Sequence, residues 1–316
     1  MDNTFYNENN LSGLKRADFK KTIDGKETDL FILSNDNGAE IAVTNYGGAI
    51  LAIMMPDKNG KLANVIQGHD SIEKVINSPE PFLSTLIGRY GNRIANGKFS
   101  LDGKEYSLTI NNGPNSLHGG PTGFHARVWD AEQTSKQSVT LHYLSADGEE
   151  GFPGNLDVNV TYTLTSENEL VITYNAKTDK KTLVNLTHHA FFNLAGIANP
   201  TPKVDNNIVT INADFYTPIS ETLIPTGEIA KVEGTPMDFR NPHTIGCRVD
   251  DKFQQLIYGK GYDHCYVLNK NEQGQLSFAA KCIEPESGRT MEVYTTEPGV
   301  QLYTANWHNG FEGAHG

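Results

Sequence analysis

A chain of 316 residues, 37% of them hydrophobic, holds enough apolar material for two domains or one large β domain. Its 26 basic and 38 acidic residues leave a formal charge of −12, which argues against a nucleic acid or an anionic membrane as partner and suits a neutral or cationic ligand. Three widely spaced cysteines, Cys247, Cys265 and Cys282, form neither a metal motif nor a disulfide framework, which points to a reducing, cytoplasmic setting.

No run of about 18 apolar residues is present, so no membrane span is expected. The opening M-D-N-T-F-Y-N-E-N-N is polar and is read as carrying no secretory signal. Residues 40–53 predict two strands broken at Gly47-Gly48, followed by a hairpin turn at Asn59-Gly60. A short helix is expected over residues 71–77, and a second hairpin over 99–108 around Asp102-Gly103. Residues 138–144, 156–164 and 169–176 read as successive strands. In the middle one Leu156, Val158, Val160, Tyr162 and Leu164 put an apolar side chain at every second position, the period of a half-buried strand. Residues 208–211, 264–268, 291–295 and 300–306 continue the pattern, and 253–257 offers one helical turn at best. Strands at short, turn-punctuated spacing predict an all-β chain, a single large antiparallel β-sandwich or barrel over residues 1–316.

Polar clusters sit in Gly-rich or aromatic stretches. Residues 183–196 read L-V-N-L-T-H-H-A-F-F-N-L-A-G, with His188 and His189 adjacent. On a strand the two must face opposite sides, and an imidazole that titrates near neutrality can serve as general acid or base. Residues 87–99 set Arg89, Asn92 and Arg93 between glycines, donors and an amide suited to sugar hydroxyls or a carboxylate; a structural Arg paired with a loop carboxylate is the competing reading. His118 is held by Gly119-Gly120, and His125 and Trp129 follow, the indole offering an apolar face for a pyranose ring. Asp263 stands at a strand entry and Glu297 in a turn between strands. The acidic turn 147–154 lacks calcium-loop spacing and is read as solvated charge. No phosphate loop, nucleophile elbow or zinc spacing appears, and no cofactor or metal is expected. Imidazole and carboxylate on a β scaffold suggest proton transfer on a neutral polyhydroxylated ligand.

Taken in order, G-R-Y-G-N-R-I-A-N-G-K-F, N-S-L-H-G-G-P-T-G-F, D-G-E-E-G-F-P-G-N-L, N-L-T-H-H-A-F-F-N-L-A-G, G-T-P-M-D-F-R, G-Y-D-H and T-T-E-P-G-V-Q-L-Y resemble the aldose 1-epimerase (galactose mutarotase) family. The resemblance implies a β-supersandwich and interconversion of the α and β anomers of free aldohexoses such as galactose and glucose. It implies that His189 is the general acid for the ring oxygen, with His118 assisting. Asn92, Arg93, His118, His189, Phe191, Asp263 and Glu297 are implied as sugar contacts, on a monomer or weak dimer. His188 stands where the motif usually has Asn. The family's base is a Glu in a C-terminal strand of the form G-[FA]-x-[LF]-E-x-Q. The sequence closes on N-W-H-N-G-F-E-G-A-H-G, whose Glu312 lies in a Gly-rich run without strand pattern. On the resemblance, the closing strands and the base are therefore expected to be missing. The alternative is a sugar-binding protein of the same fold without catalysis.

Overall fold

The computed structural model describes residues 4–198 and 202–308. Alternation in the sequence becomes layering in the fold. Asp130–Ser135, Ser138–Ser145, Leu156–Leu164 and Leu170–Thr178 form an antiparallel sheet in chain order. A second sheet, also in chain order, is built from Leu30–Ser34, Glu40–Thr44, Ile50–Pro56 and Leu62–Asn64. The buried rows of the two meet: Phe31, Leu33, Ile41, Val43, Ile50 and Ile53 share one core with Val139, Leu141, Val158, Val160, Tyr162 and Leu164. Each such side chain taken out of water contributes about 1.5–3 kcal/mol. The Tyr162 hydroxyl crosses the layers to donate to the Gly48 carbonyl at 2.8 Å, so the one polar atom in that row has its partner.

Two further four-stranded sheets follow. One runs His243–Thr244, Ile208–Ile211, Ser277–Ile283, Thr290–Thr295; the other runs Ala230–Lys231, Phe215–Tyr216, Asp263–Val267, Gly299–Tyr303. They enclose a second core of Val209, Ile211, Tyr216, Phe239, Tyr262, Tyr266 and Ala279, and Cys282 packs against both cores. Among the described residues the three cysteine thiols are free, and no helix is long and apolar enough to cross a membrane.

The expected strands, both hairpins and the helix Ile72–Ile76 with Ser71 as its N-cap are present. The second helix, Gln254–Gly259, is longer than the single turn expected. Three strands of five or more residues had no expectation. Leu30–Ser34 is apolar without alternation because the two sides of its sheet are both covered. Asp130–Ser135 is an edge strand with almost no apolar residue, and Ser277–Ile283 mixes polar and apolar residues without period. Trp129 overturns another expectation. It is 0% exposed, packed on Phe124 and Tyr143 with its indole N–H donated to the Phe124 carbonyl at 3.2 Å, so it is a core residue and offers no face to a sugar.

Candidate active site

Two very short ladders at the end of the first sandwich gather the polar clusters. Thr187–His188 pairs with Leu86–Ile87, and Arg93–Ile94 pairs with Ser116–Leu117. The first ladder continues through backbone bonds from the His189 N–H to Thr85 and from the Ser84 N–H to His189, at 2.9 and 3.0 Å. Pleating then separates the two histidines. His188 turns to the core, its ring 5.7 Å from that of Tyr162, whereas His189 faces the rings of His118, Phe191 and Tyr303 at 5.0, 4.9 and 6.1 Å.

The second ladder sets Arg93 opposite Leu117, and therefore Asn92 beside His118. The Asn92 backbone N–H donates to His118 Nδ1 at 2.9 Å. That bond fixes the tautomer: the neutral ring carries its proton on Nε2 and offers it as a donor. Burial, with the charges of His189 and Arg93 added, holds His118 well below the usual imidazole range. Gly119 makes the turn possible. A Cβ there would lie 1.9 Å from the Gly88 carbonyl oxygen, and its φ of +85° belongs to the left-handed region.

Around this pair stand the remaining groups. Phe82 puts its ring 4.8 Å from His118, 4.5 Å from His125 and 6.3 Å from His189. Arg93 donates through Nε to Asn112 at 2.9 Å, while the Asn92 side-chain oxygen accepts from the Arg93 N–H at 2.9 Å. The guanidinium lies within electrostatic reach of Asp263 and Tyr303, residues paired across the Asp263–Val267 and Gly299–Tyr303 strands. Gln301 donates to Asp263 Oδ1 at 2.8 Å. Burial raises the Asp263 carboxyl, opposed by the Gln301 bond and the Arg93 charge. Burial also lowers His189, His125 and His264 to about 4 and His188 to about 3.

Of the residues read from the sequence, the structure thus brings together Asn92, Arg93, His118, His189, Phe191 and Asp263. Arg89 lies apart, buried and donating to Ser145 Oγ and to the carbonyls of Ser145, Ala146 and Pro153; it is a structural arginine, as the competing reading had it, but with a hydroxyl and carbonyls as partners in place of a loop carboxylate. Glu297 is a correction. Asp263 pairs with Tyr303 and Val267 with Gly299, so the turn holding Glu297 sits beyond the far end of that ladder, about 13 Å of strand from Tyr303. It is exposed there, and only its backbone N–H is engaged, by Thr295. Glu312 lies outside the described residues. Sequence reading missed Phe82, Gln301 and Tyr303. Only the proximity of Gln301 and Tyr303 to the T-T-E-P motif could have pointed to any of them.

The arrangement offers an imidazole, a fixed N–H donor, a guanidinium and a carboxylate between aromatic walls. Among the described residues no group of three or more His, Cys, Asp or Glu is placed to hold a metal ion. Comparison with known proteins agrees with the chemistry. The sequence model of the family described as aldose 1-epimerase matches residues 29–315. Galactose mutarotase of Sus scrofa is 43% identical over 280 residues, 89% of this chain and 78% of that one. The Homo sapiens galactose mutarotase is 41% identical over 301 residues (95% and 84%), and the aldose 1-epimerase of Escherichia coli K12 is 36% identical over 288 (91% and 81%). A crystal structure of galactose 1-epimerase from Lactobacillus acidophilus superposes with a TM-score of 0.80 at 29% identity, covering 92% of this chain and 82% of that one. Nothing in these likenesses supports a binding protein without catalysis. The fold is that of the galactose mutarotases, and the chain belongs to the aldose 1-epimerase family.

Proposed function

We propose that the cluster centred on His189 opens and recloses the hemiacetal ring of a free aldohexose, galactose or glucose. The chain is an enzyme of the isomerase class that interconverts aldose anomers. The C1 hydroxyl must lose a proton while the ring oxygen gains one, and the bond between C1 and the ring oxygen breaks toward the oxygen. Rotation about C1–C2 and reclosure give the other anomer. His189 is the proton donor to the ring oxygen in this reading, and such a transfer is worth roughly 10²–10⁴ in rate. His118, its Nδ1 occupied, presents Nε2–H to the same oxygen or to a neighbouring hydroxyl. Arg93 and Asp263 hold further hydroxyls, with Phe82, Phe191 and Tyr303 as apolar walls.

The observation that carries the reading is the meeting of His189 with a tautomer-locked His118, ring centroids 5.0 Å apart, beside Arg93 and Asp263. Burial keeps the resting His189 neutral at pH 7, so its proton must be supplied with a compensating negative group at hand. Exchange NMR on equilibrated galactose tests the activity. Faster α/β exchange in the presence of the protein is expected; broadened sugar lines with unchanged exchange would leave only binding.

A cytoplasmic monomer or weak dimer is our reading, supported by three free thiols and the charge of −12. Light scattering over a concentration series tests the assembly.

A further inference from the structure

We propose that Asn112 is a positioning residue for sugar binding, its side-chain oxygen holding the Arg93 guanidinium ready for the sugar hydroxyls. The inference rests on the reading of Arg93 as a sugar contact, and it adds a residue from the turn ahead of the His118 motif. A long arginine side chain loses rotamer freedom when it grips a ligand. That loss is subtracted from affinity unless folding has already fixed the side chain.

The turn is built to fix it. It closes on itself through the Asn112 N–H donated to the Asn115 carbonyl at 3.1 Å and the Asn115 N–H donated to the Asn112 carbonyl at 2.9 Å. Two asparagine side chains then tie the turn to its surroundings. Asn111 donates to the Leu117 carbonyl at 3.0 Å and accepts the Leu117 N–H at 2.7 Å. Asn115, buried, accepts the Asn96 N–H at 3.1 Å and donates to the Thr222 carbonyl at 3.2 Å. Leu117 stands opposite Arg93 in its ladder and Asn96 follows that strand, so the turn is held at two points to the segment that carries the arginine.

Asn112 differs from these two. Their side chains bond to backbone groups, whereas the Asn112 oxygen accepts from a side chain, Arg93 Nε, at 2.9 Å. The Asn92 oxygen takes Arg93 Nη1 at 3.4 Å. A guanidinium has five N–H donors, so with two engaged three remain for a ligand. Both acceptors are neutral amides. A carboxylate in the place of Asn112 could take two donors at once and claim the charge, whereas an amide oxygen orients the head and leaves its charge to the site. That charge acts on His118, Asp263 and Tyr303, the groups of the cluster described above.

A double-mutant cycle tests the assignment: wild type, Asn112→Ala, Arg93→Ala and the double variant, each followed by polarimetry over a range of galactose concentrations. Affinity is read from KM, and from galactose NMR line broadening where turnover is too slow to follow. Asn112→Ala is expected to raise KM roughly 3- to 10-fold, the effect of freeing one long side chain, with kcat within about twofold. In the Arg93→Ala background the same change is expected to do nothing further, because the group it positions is gone. An unchanged KM in Asn112→Ala would overturn the proposal. So would a penalty that carries over in full to the Arg93→Ala background, which would make Asn112 a residue of the turn alone. Unchanged affinity in Arg93→Ala would instead sink the reading of Arg93 itself, which separates the two failures.

Discussion

Replacing His188 by Asn should change how stability responds to acid while leaving the chemistry in place. The His188 ring nitrogens are buried, with the ring against Tyr162 and near the Gly48 carbonyl, and burial lowers it to about 3. In the unfolded chain the same imidazole titrates near 6.5. The folded pKa is depressed, so between those values the unfolded state binds the extra proton. The contribution of the neutral ring is fully present above about pH 6.5 and is lost as pH falls toward 3. At pH 5 the gap is about 1.5 pH units, or ~2 kcal/mol, because each unit is worth about 1.4 kcal/mol. Wild type carries this term and the Asn variant does not. Urea unfolding followed by fluorescence of the buried Trp129 at pH 7.5 and pH 5 measures it. The acid-induced loss is expected to be smaller in His188→Asn by ~2 kcal/mol, with mutarotation retained. An equal loss in both proteins would refute the burial of a neutral His188, and a collapse of turnover at unchanged stability would put the residue in the mechanism.

Asp263→Ala should weaken galactose binding by about 1–3 kcal/mol in titration calorimetry, since it strands Gln301 and Arg93 without their carboxylate; unchanged affinity would assign Asp263 to the fold. Glu297→Ala should leave affinity and turnover within twofold, as the turn lies beyond the far end of its ladder; a tenfold loss of affinity would restore the sequence-based expectation. Gly119→Ala should abolish turnover and lower the melting temperature, because the methyl group meets the Gly88 carbonyl and the backbone is left-handed there; a fully active, equally stable variant would contradict the geometry.

Legibility in the sequence followed the physics of each segment. The strand Leu156–Leu164 announces itself because one face is buried and the other is not. Leu30–Ser34 does not, since burial of both faces erases the alternation. The site was readable where a residue type is costly to keep without a reason: His118 in a turn only Gly119 permits, His189 on the face opposite His188, Arg93 beside Asn92. Glu297 misled because its motif is adjacent in sequence, whereas the ladder carries the turn away from Asp263. Trp129 misled because an indole is as good a core filler as a stacking face, and only its packing on Phe124 and Tyr143 decides which. Phe82 gave no sign, because its meeting with His189 comes from pairing between segments far apart in the chain.

His189 is the group proposed to protonate the ring oxygen. Polarimetry on freshly dissolved α-D-galactose, with wild type and His189→Asn side by side and galactose binding measured on the same samples, tests it most directly. The protein should accelerate mutarotation, and the Asn variant should slow it by roughly 10²–10⁴ while binding changes little. A variant that turns over at near the wild-type rate would remove His189 from the mechanism.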